Sequence, residues 1–300
     1  MSDAHASSTT LGRARLLIVL CYLAAGVGSL VAGYLAPTDD AVWVAFVADV
    51  AATFVVFLFS RAYDNSSFYD AYWSVIPPFL GLFWLTDAAP DANVARQVLA
   101  LGLTTLWGIR LTYNWARGWT GLGHEDWRYV DLREKTGKLY WVVSFLGLHY
   151  FPTVEVFAGC LGLHAALTAG GRPFGALDVA ATIVTAGAIA IEAIADNQLR
   201  AFVLRPGKPS GSIMNEGLWA YSRHPNYFGE MSFWWGLFLF GLAADPESWR
   251  TTLYGPVAIT VMFFFVSVPM MEKRQIERRP AFAEHVKRTS MIIPWFAKSA

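Results

Sequence analysis

The feature that most constrains this chain is a recurrence of apolar runs. Residues 16–36, 41–60, 71–86, 98–115, 139–168, 176–195, 229–244 and 253–271 each read as about 16 to 30 residues with few charges. A helix needs roughly 20 such residues to cross a bilayer, since each adds about 1.5 Å of rise. In hydrocarbon every backbone N–H and C=O must be satisfied within the protein, which a helix does by itself. The runs therefore predict an all-α fold, a polytopic membrane helical bundle of 7–8 transmembrane helices. The run at 71–86 is short and holds Pro77 and Pro78, and the long run at 139–168 invites a break at Pro152.

Composition agrees: 55% of the 300 residues are hydrophobic and only 15% charged, unlike a soluble domain with a charged surface. The first run is longer than a signal-peptide core and lacks a small-residue cleavage site, so it reads as an anchor. Cys21 and Cys160 both lie in apolar runs, which indicates neither a disulfide framework nor a zinc ribbon. The six His show no paired ligand spacing, so no metal site is expected. With basic residues spread over loops and a formal net charge of zero, no nucleic acid is expected either.

Charge placement sets an orientation. With the N-terminus inside, the opposite loops carry only Arg96, Arg172 and Arg250, and Arg110 is the one basic residue within a run. All the other Lys and Arg fall on the cytoplasmic side, so both termini are placed there. No internal repeat appears. Residues 1–12 read as a disordered N-terminus, and residues 13–300 as a single membrane domain whose part 175–296 binds a cofactor. The tail, with Lys273, Arg274, Arg278 and Arg279 followed by Ile293-Pro294-Trp295-Phe296, predicts a C-terminal interfacial helix on the cytoplasmic face.

Residues 217–230 concentrate chemistry where the chain enters lipid: Trp219, Tyr221, Arg223, His224, Asn226, Tyr227 and Glu230. They supply charged donors, an imidazole, an amide and a carboxylate within a short stretch. The plainer reading makes the aromatics belt residues and Pro225 a helix start, with Glu230 at the positive dipole end. Upstream, Asp196 and Arg200 stand four apart, as an ordinary helical pair would. Alternatively Arg200, Arg205 and Lys208 grip phosphates while a carboxylate receives ribose hydroxyls. No Gly-x-Gly-x-x-Gly opens a strand–helix unit, so a Rossmann module is excluded.

The series Asp196-Asn-Gln-Leu-Arg200, Pro206-Gly207, the segment 217–230 and Ile293-Pro294-Trp295 resembles the C-terminal half of the steroid 5-alpha-reductase superfamily, closest to its bacterial branch. The likeness covers residues 175–296 and extends weakly to Glu125–Arg133. It implies a multi-span enzyme of a bacterial inner membrane that binds NADPH from the cytoplasm and delivers hydride to an activated C=C bond. The substrate class it implies is a lipid-soluble small molecule, steroid- or enone-like, in contact with membrane lipids and without an obligate protein partner. Asp196, Arg200, Asn226 and Glu230 then fall at the NADPH, with His224, Tyr227 and Arg274 as further contacts; Arg205 and Arg223 complete the set of cofactor-binding candidates.

Steroid reductases polarise an enone carbonyl with an acid and a tyrosine from early spans. Asp70 is the positional counterpart of the acid, whereas no tyrosine of the fourth run falls into register, Trp107, Arg110 and Tyr113 occupying that region. Ionisable residues within runs are costly and so become candidates: Asp49, Arg110, His149, Glu155 and Glu192. Each is alternatively a packing pair. The catalytic candidates are Asp70, Glu155 and Tyr113, a neutral carboxylic acid being able to donate to a developing enolate. Two other classes stay open. Isoprenylcysteine-type methyltransferases, which use S-adenosylmethionine, also carry an Arg-His-Pro segment before a penultimate span; a transporter or scaffold is the non-enzymatic reading.

Overall fold

In the computed structural model residues 10–297 are described, and no strand occurs among them. Among the described residues nine helices of seven or more residues carry the fold: α1 Leu11–Tyr34, α2 Ala41–Ala62, α3 Tyr72–Trp84, α4 Val94–Gly118, α5 Trp127–Thr168, α6 Ala176–Val203, α7 Pro225–Ala244, α8 Tyr254–Arg278 and α9 Phe282–Arg288. Among the described residues, α1, α2, α5, α6 and α8 are long and apolar enough to span a bilayer. The protein is a helical membrane bundle. The runs expected at 71–86, 98–115 and 229–244 form helices too, but α3 has only 13 residues. Helix α4 holds Arg96, Arg110 and Arg117, and α7 opens with Asn226 and Glu230, which lowers their apolarity.

Contacts divide the described residues into two compact units, one within residues 1–87 and 107–157 and the other within residues 88–106 and 158–300. The disordered segment expected over 1–12 lies largely outside the described residues. Thr10 accepts from the Arg13 N–H, and α1 starts at Leu11.

In the first unit, Asp40 caps α2 by accepting from Val42 N–H at 2.9 Å and Trp43 N–H at 3.0 Å. Helix α1 buries Ala14, Ile18, Cys21 and Ala25, one residue per turn, and leaves Leu16, Val19, Leu23 and Val27 exposed. A narrow, small-residue stripe brings backbones close, while the wide apolar remainder suits lipid. Gly108 lets α4 approach α3, since a Cβ there would meet the Ser74 carbonyl.

The expected break at Pro152 does not occur. Instead α5 widens to π winding over Phe145–Tyr150, immediately before the proline. The extra residue relieves the clash that a proline ring makes with the carbonyl one turn back. Helix α8 does the same over Phe263–Ser267, ahead of Pro269. The α winding is interrupted earlier, at Gly137, whose φ of +51° suits glycine and which opens a 3-10 turn over Gly137–Leu139.

In the second unit, α6 and α7 lie in close contact through Gly229 and Gly236. A Cβ at Gly229 would sit 2.9 Å from the Ala188 carbonyl, and one at Gly236 would strike Thr185. Gly162 of α5 likewise faces the Leu237 carbonyl of α7. Arg96, expected in an external loop, is instead 1% exposed at the start of α4. Its guanidinium donates to Asp178 through Nε at 2.6 Å and Nη2 at 3.0 Å, and to the Pro173 carbonyl at 3.2 Å. An arginine that far from water is tolerable only with such pairing.

Candidate functional site

The connection from α6 to α7 folds back onto the end of α6. Gly217 adopts φ +59°, Leu218 N–H donates to Gln198 Oε1 at 2.9 Å, and Trp219 Nε1 donates to the Ala195 carbonyl at 3.0 Å. A single 3-10 turn at Gly217–Ala220 leads to His224, which precedes α7, and Pro225 occupies the first helical position, where its missing N–H costs nothing. This docking sets the first turn of α7 beside the last turns of α6.

Asn226 Nδ2 thereby donates to Asp196 Oδ1 at 3.4 Å, while Asn226 Oδ1 is buried with no hydrogen-bond partner among the described residues. Glu192 is buried one helical turn before Asp196, against Gly229. Glu230, also buried, accepts from Trp234 Nε1 at 2.8 Å. An amide, three carboxylates and a close helix crossing thus share one end of α6 and α7.

Arg223 and His224 face the tail. Arg223 Nε donates to Glu272 Oε1 at 2.6 Å and Nη2 to Oε2 at 3.2 Å, a bidentate pair. Its Nη1 donates to the Val286 carbonyl at 2.9 Å and to that of Thr289. His224 Nε2 lies 3.1 Å from Glu272 Oε1, and its ring stacks on Tyr227 with centroids 5.4 Å apart. Arg274 is half-buried two residues beyond Glu272. Arg200 is exposed at the end of α6, and Arg205 forms an exposed pair with Glu216 at 2.6 Å. The Arg205 hydrogen bonds hold the Glu216 carboxyl below its ordinary value. Of the residues singled out in the sequence, Asp196 and Asn226 come together one turn from Glu192, Glu230 bonds Trp234 of its own helix, and Arg223 and His224 meet at Glu272 with Tyr227 stacked on the imidazole.

The first unit has its own polar interior. Tyr129 OH donates to Asp70 Oδ1 at 2.7 Å. Burial pushes the Asp70 carboxyl up to about 6, against the opposing effect of the Tyr129 and Ser67 hydrogen bonds. Nearby, burial also disfavours the Asp126 carboxylate, but bidentate contact with Arg128 at 2.8 and 3.0 Å overrides it and holds the group below its ordinary value. Deeper, Tyr72 OH donates to Asp49 Oδ1 at 3.0 Å. Thr153 Oγ1 lies 2.8 Å from both Thr53 Oγ1 and Tyr69 OH, and His149 bridges Ser60 Oγ at 3.1 Å and the Ser144 carbonyl at 3.0 Å. Glu155 is buried, with Oε1 lacking a hydrogen-bond partner among the described residues. Tyr113 stands elsewhere: it is 64% exposed on α4, with the Arg117 guanidinium 5.6 Å from its ring centre.

Sequence reasoning missed Tyr72, Tyr129, Thr53, Thr153 and the role of Glu272. Tyr129 lies inside the charged stretch 125–133, a usable signal; the others sit in apolar or tail sequence with none.

A family profile described as "Protein of unknown function (DUF1295)" matches residues 56–289. The chain belongs to this family. The DUF1295 match contains every candidate residue from Asp70 to Arg274, whereas Asp49 lies outside it. An uncharacterized protein of Schizosaccharomyces pombe is 26% identical over 254 residues, covering 77% of this chain and 73% of that protein. No solved structure matches.

Proposed function

We propose that this DUF1295 membrane protein is an NADPH-dependent reductase acting on an activated C=C bond of a lipid-soluble, enone- or steroid-like substrate, in keeping with its resemblance to the steroid 5-alpha-reductase superfamily. The observation that carries the reading is the Asp196–Asn226 pair, in which a buried amide oxygen is left without a partner. A buried acceptor without a donor is costly, and a ligand amide N–H offers one.

The residues present fit the cofactor. Asn226 would receive the carboxamide, Asp196 the ribose hydroxyls, and Arg200, exposed at the end of α6, a phosphate. Glu230, His224, Tyr227, Arg205, Arg223 and Arg274 are the further contacts in this reading. The chemistry that NADPH would supply when held by these residues is a hydride for the β carbon of the substrate. The chain's own contribution is to orient and to hold protons. Asp70 with Tyr129, Asp49 with Tyr72, and Glu155 are the groups of the first unit able to donate to a developing oxyanion. In this reading the termini are cytoplasmic and the membrane is a bacterial inner membrane.

Thermal unfolding of detergent-purified protein tests it. NADPH raises the midpoint in a concentration-dependent way, and Asn226→Ala removes the rise, because a ligand bound only by the folded state stabilises it. S-adenosylmethionine raising the midpoint in place of NADPH would overturn the reading in favour of methyl transfer. A transported solute with no nucleotide effect would overturn it in favour of a carrier.

A further inference from the structure

After α8 ends at Arg278 the chain does not leave the body of the protein. Residues 289–295 run alongside 221–223: Arg223 N–H donates to the Ser290 carbonyl at 2.9 Å, Ser222 Oγ to the Ile292 carbonyl at 2.7 Å, and Trp295 N–H to the Tyr221 carbonyl at 2.9 Å. Ile292 is buried with Met231 and Val268, and the Arg223 guanidinium grips Glu272 and the carbonyls of Val286 and Thr289. The inner side of the tail is thus committed to the segment that leads into Asn226.

The outer side is different. Lys273, Arg278, Lys287 and Arg288 are exposed against the exposed carboxylates Glu277 and Glu284. Further along the same tail Trp295 is 71% and Phe296 75% exposed. These residues occupy the end of α8, one of the helices suited to spanning the bilayer, and the stretch after it, which is where a spanning helix would meet the headgroup layer. Excess cations beside unsheltered aromatics match the chemistry of an anionic headgroup over an acyl boundary.

We propose that the outer face of the tail binds anionic phospholipid headgroups, and that this contact holds residues 289–295 against residues 221–223. Lipid charge then becomes a control on the segment that positions Asn226. The proposal goes beyond the reductase reading and does not depend on it.

The test compares full-length protein in nanodiscs of phosphatidylcholine alone and of phosphatidylcholine mixed with phosphatidylglycerol, without nucleotide. Two readouts are taken: chymotryptic cleavage at Trp295 and Phe296, and amide hydrogen exchange in peptides covering 221–228 and 289–296. Phosphatidylglycerol slows cleavage by at least about fivefold, the factor that one basic residue's attraction to an anionic surface supplies. It slows exchange in both peptides together. The variant carrying Lys273→Gln, Arg278→Gln, Lys287→Gln and Arg288→Gln loses both effects while keeping its thermal midpoint in detergent. Equal cleavage and exchange in the two lipids overturns the proposal. So does full retention of the lipid effect by the variant, and so does equal protection by inorganic phosphate added to neutral discs.

Discussion

The guanidinium of Arg223, at the entrance to α7, and the carboxylate of Glu272, near the end of α8, form a nearly buried two-point ion pair, with the His224 imidazole on the same carboxylate oxygen. It fastens the tail to the helix that presents Asn226. Breaking such a pair from one side strands a charge away from water, which costs about 3–5 kcal/mol. Glu272→Ala should therefore lower the thermal midpoint sharply and expose the tail to protease. Glu272→Gln, which keeps one acceptor, should fall between. An unchanged midpoint in Glu272→Ala would show the pair to be dispensable.

The contact of α6 with α7 depends on the missing side chain at Gly229. Gly229→Ala should cost about 1–3 kcal/mol, because its Cβ meets a backbone carbonyl that cannot turn aside. It should also weaken any ligand held at Asn226. Gly187→Ala, on α6 with nothing within 4 Å of its Cβ, is the control and should be neutral or slightly stabilising. Unfolding in detergent separates the two.

Asp70 gives a pH dependence with a definite sign. Its carboxyl rises from 3.8 to about 6 on folding, so the protonated form is the one the fold favours. Its contribution is fully present below pH 4 and is lost as pH rises through 6. The difference in thermal midpoint between wild type and Asp70→Asn should therefore shift against the wild type across that window. A flat difference would mean that the carboxyl titrates as if in water.

Arg96 and Asp178 form a pair suited to a double-mutant cycle. Asp178→Ala alone should destabilise by about 3–5 kcal/mol, and pairing it with Arg96→Met should recover much of the loss, since the second change removes the uncompensated charge. Additive losses would indicate that the Arg172 and Pro173 carbonyls, also bonded to Arg96, carry the contact.

Much of the fold was legible because membrane helices announce themselves through local composition. Asp40 before a long apolar run and Pro225 at the start of another mark real starts. The contact of Asp196 with Asn226 was legible as well, since the two lie close to the facing ends of consecutive helices. Arg96 was not. A lone arginine between runs looks like a loop charge until Asp178, 82 residues away, meets it. Tyr129 and Asp70 are 59 apart, and Tyr72 and Asp49 are 23 apart on different helices. Hydroxyls such as Thr53 and Thr153 carry no charge to single them out, and only a fold that crosses α2 and α5 there makes them partners.

The π turn ahead of Pro152 has a consequence for the angular address of every residue after it. One extra residue in a turn rotates the downstream helix by about 100° relative to a regular α count. A helical wheel drawn straight through α5 would therefore swing Thr153 and Glu155 away from the face they occupy. Deleting a single residue from Phe145–Tyr150 should carry Thr153 off Thr53 and Tyr69 while leaving the length and greasiness of the span almost untouched.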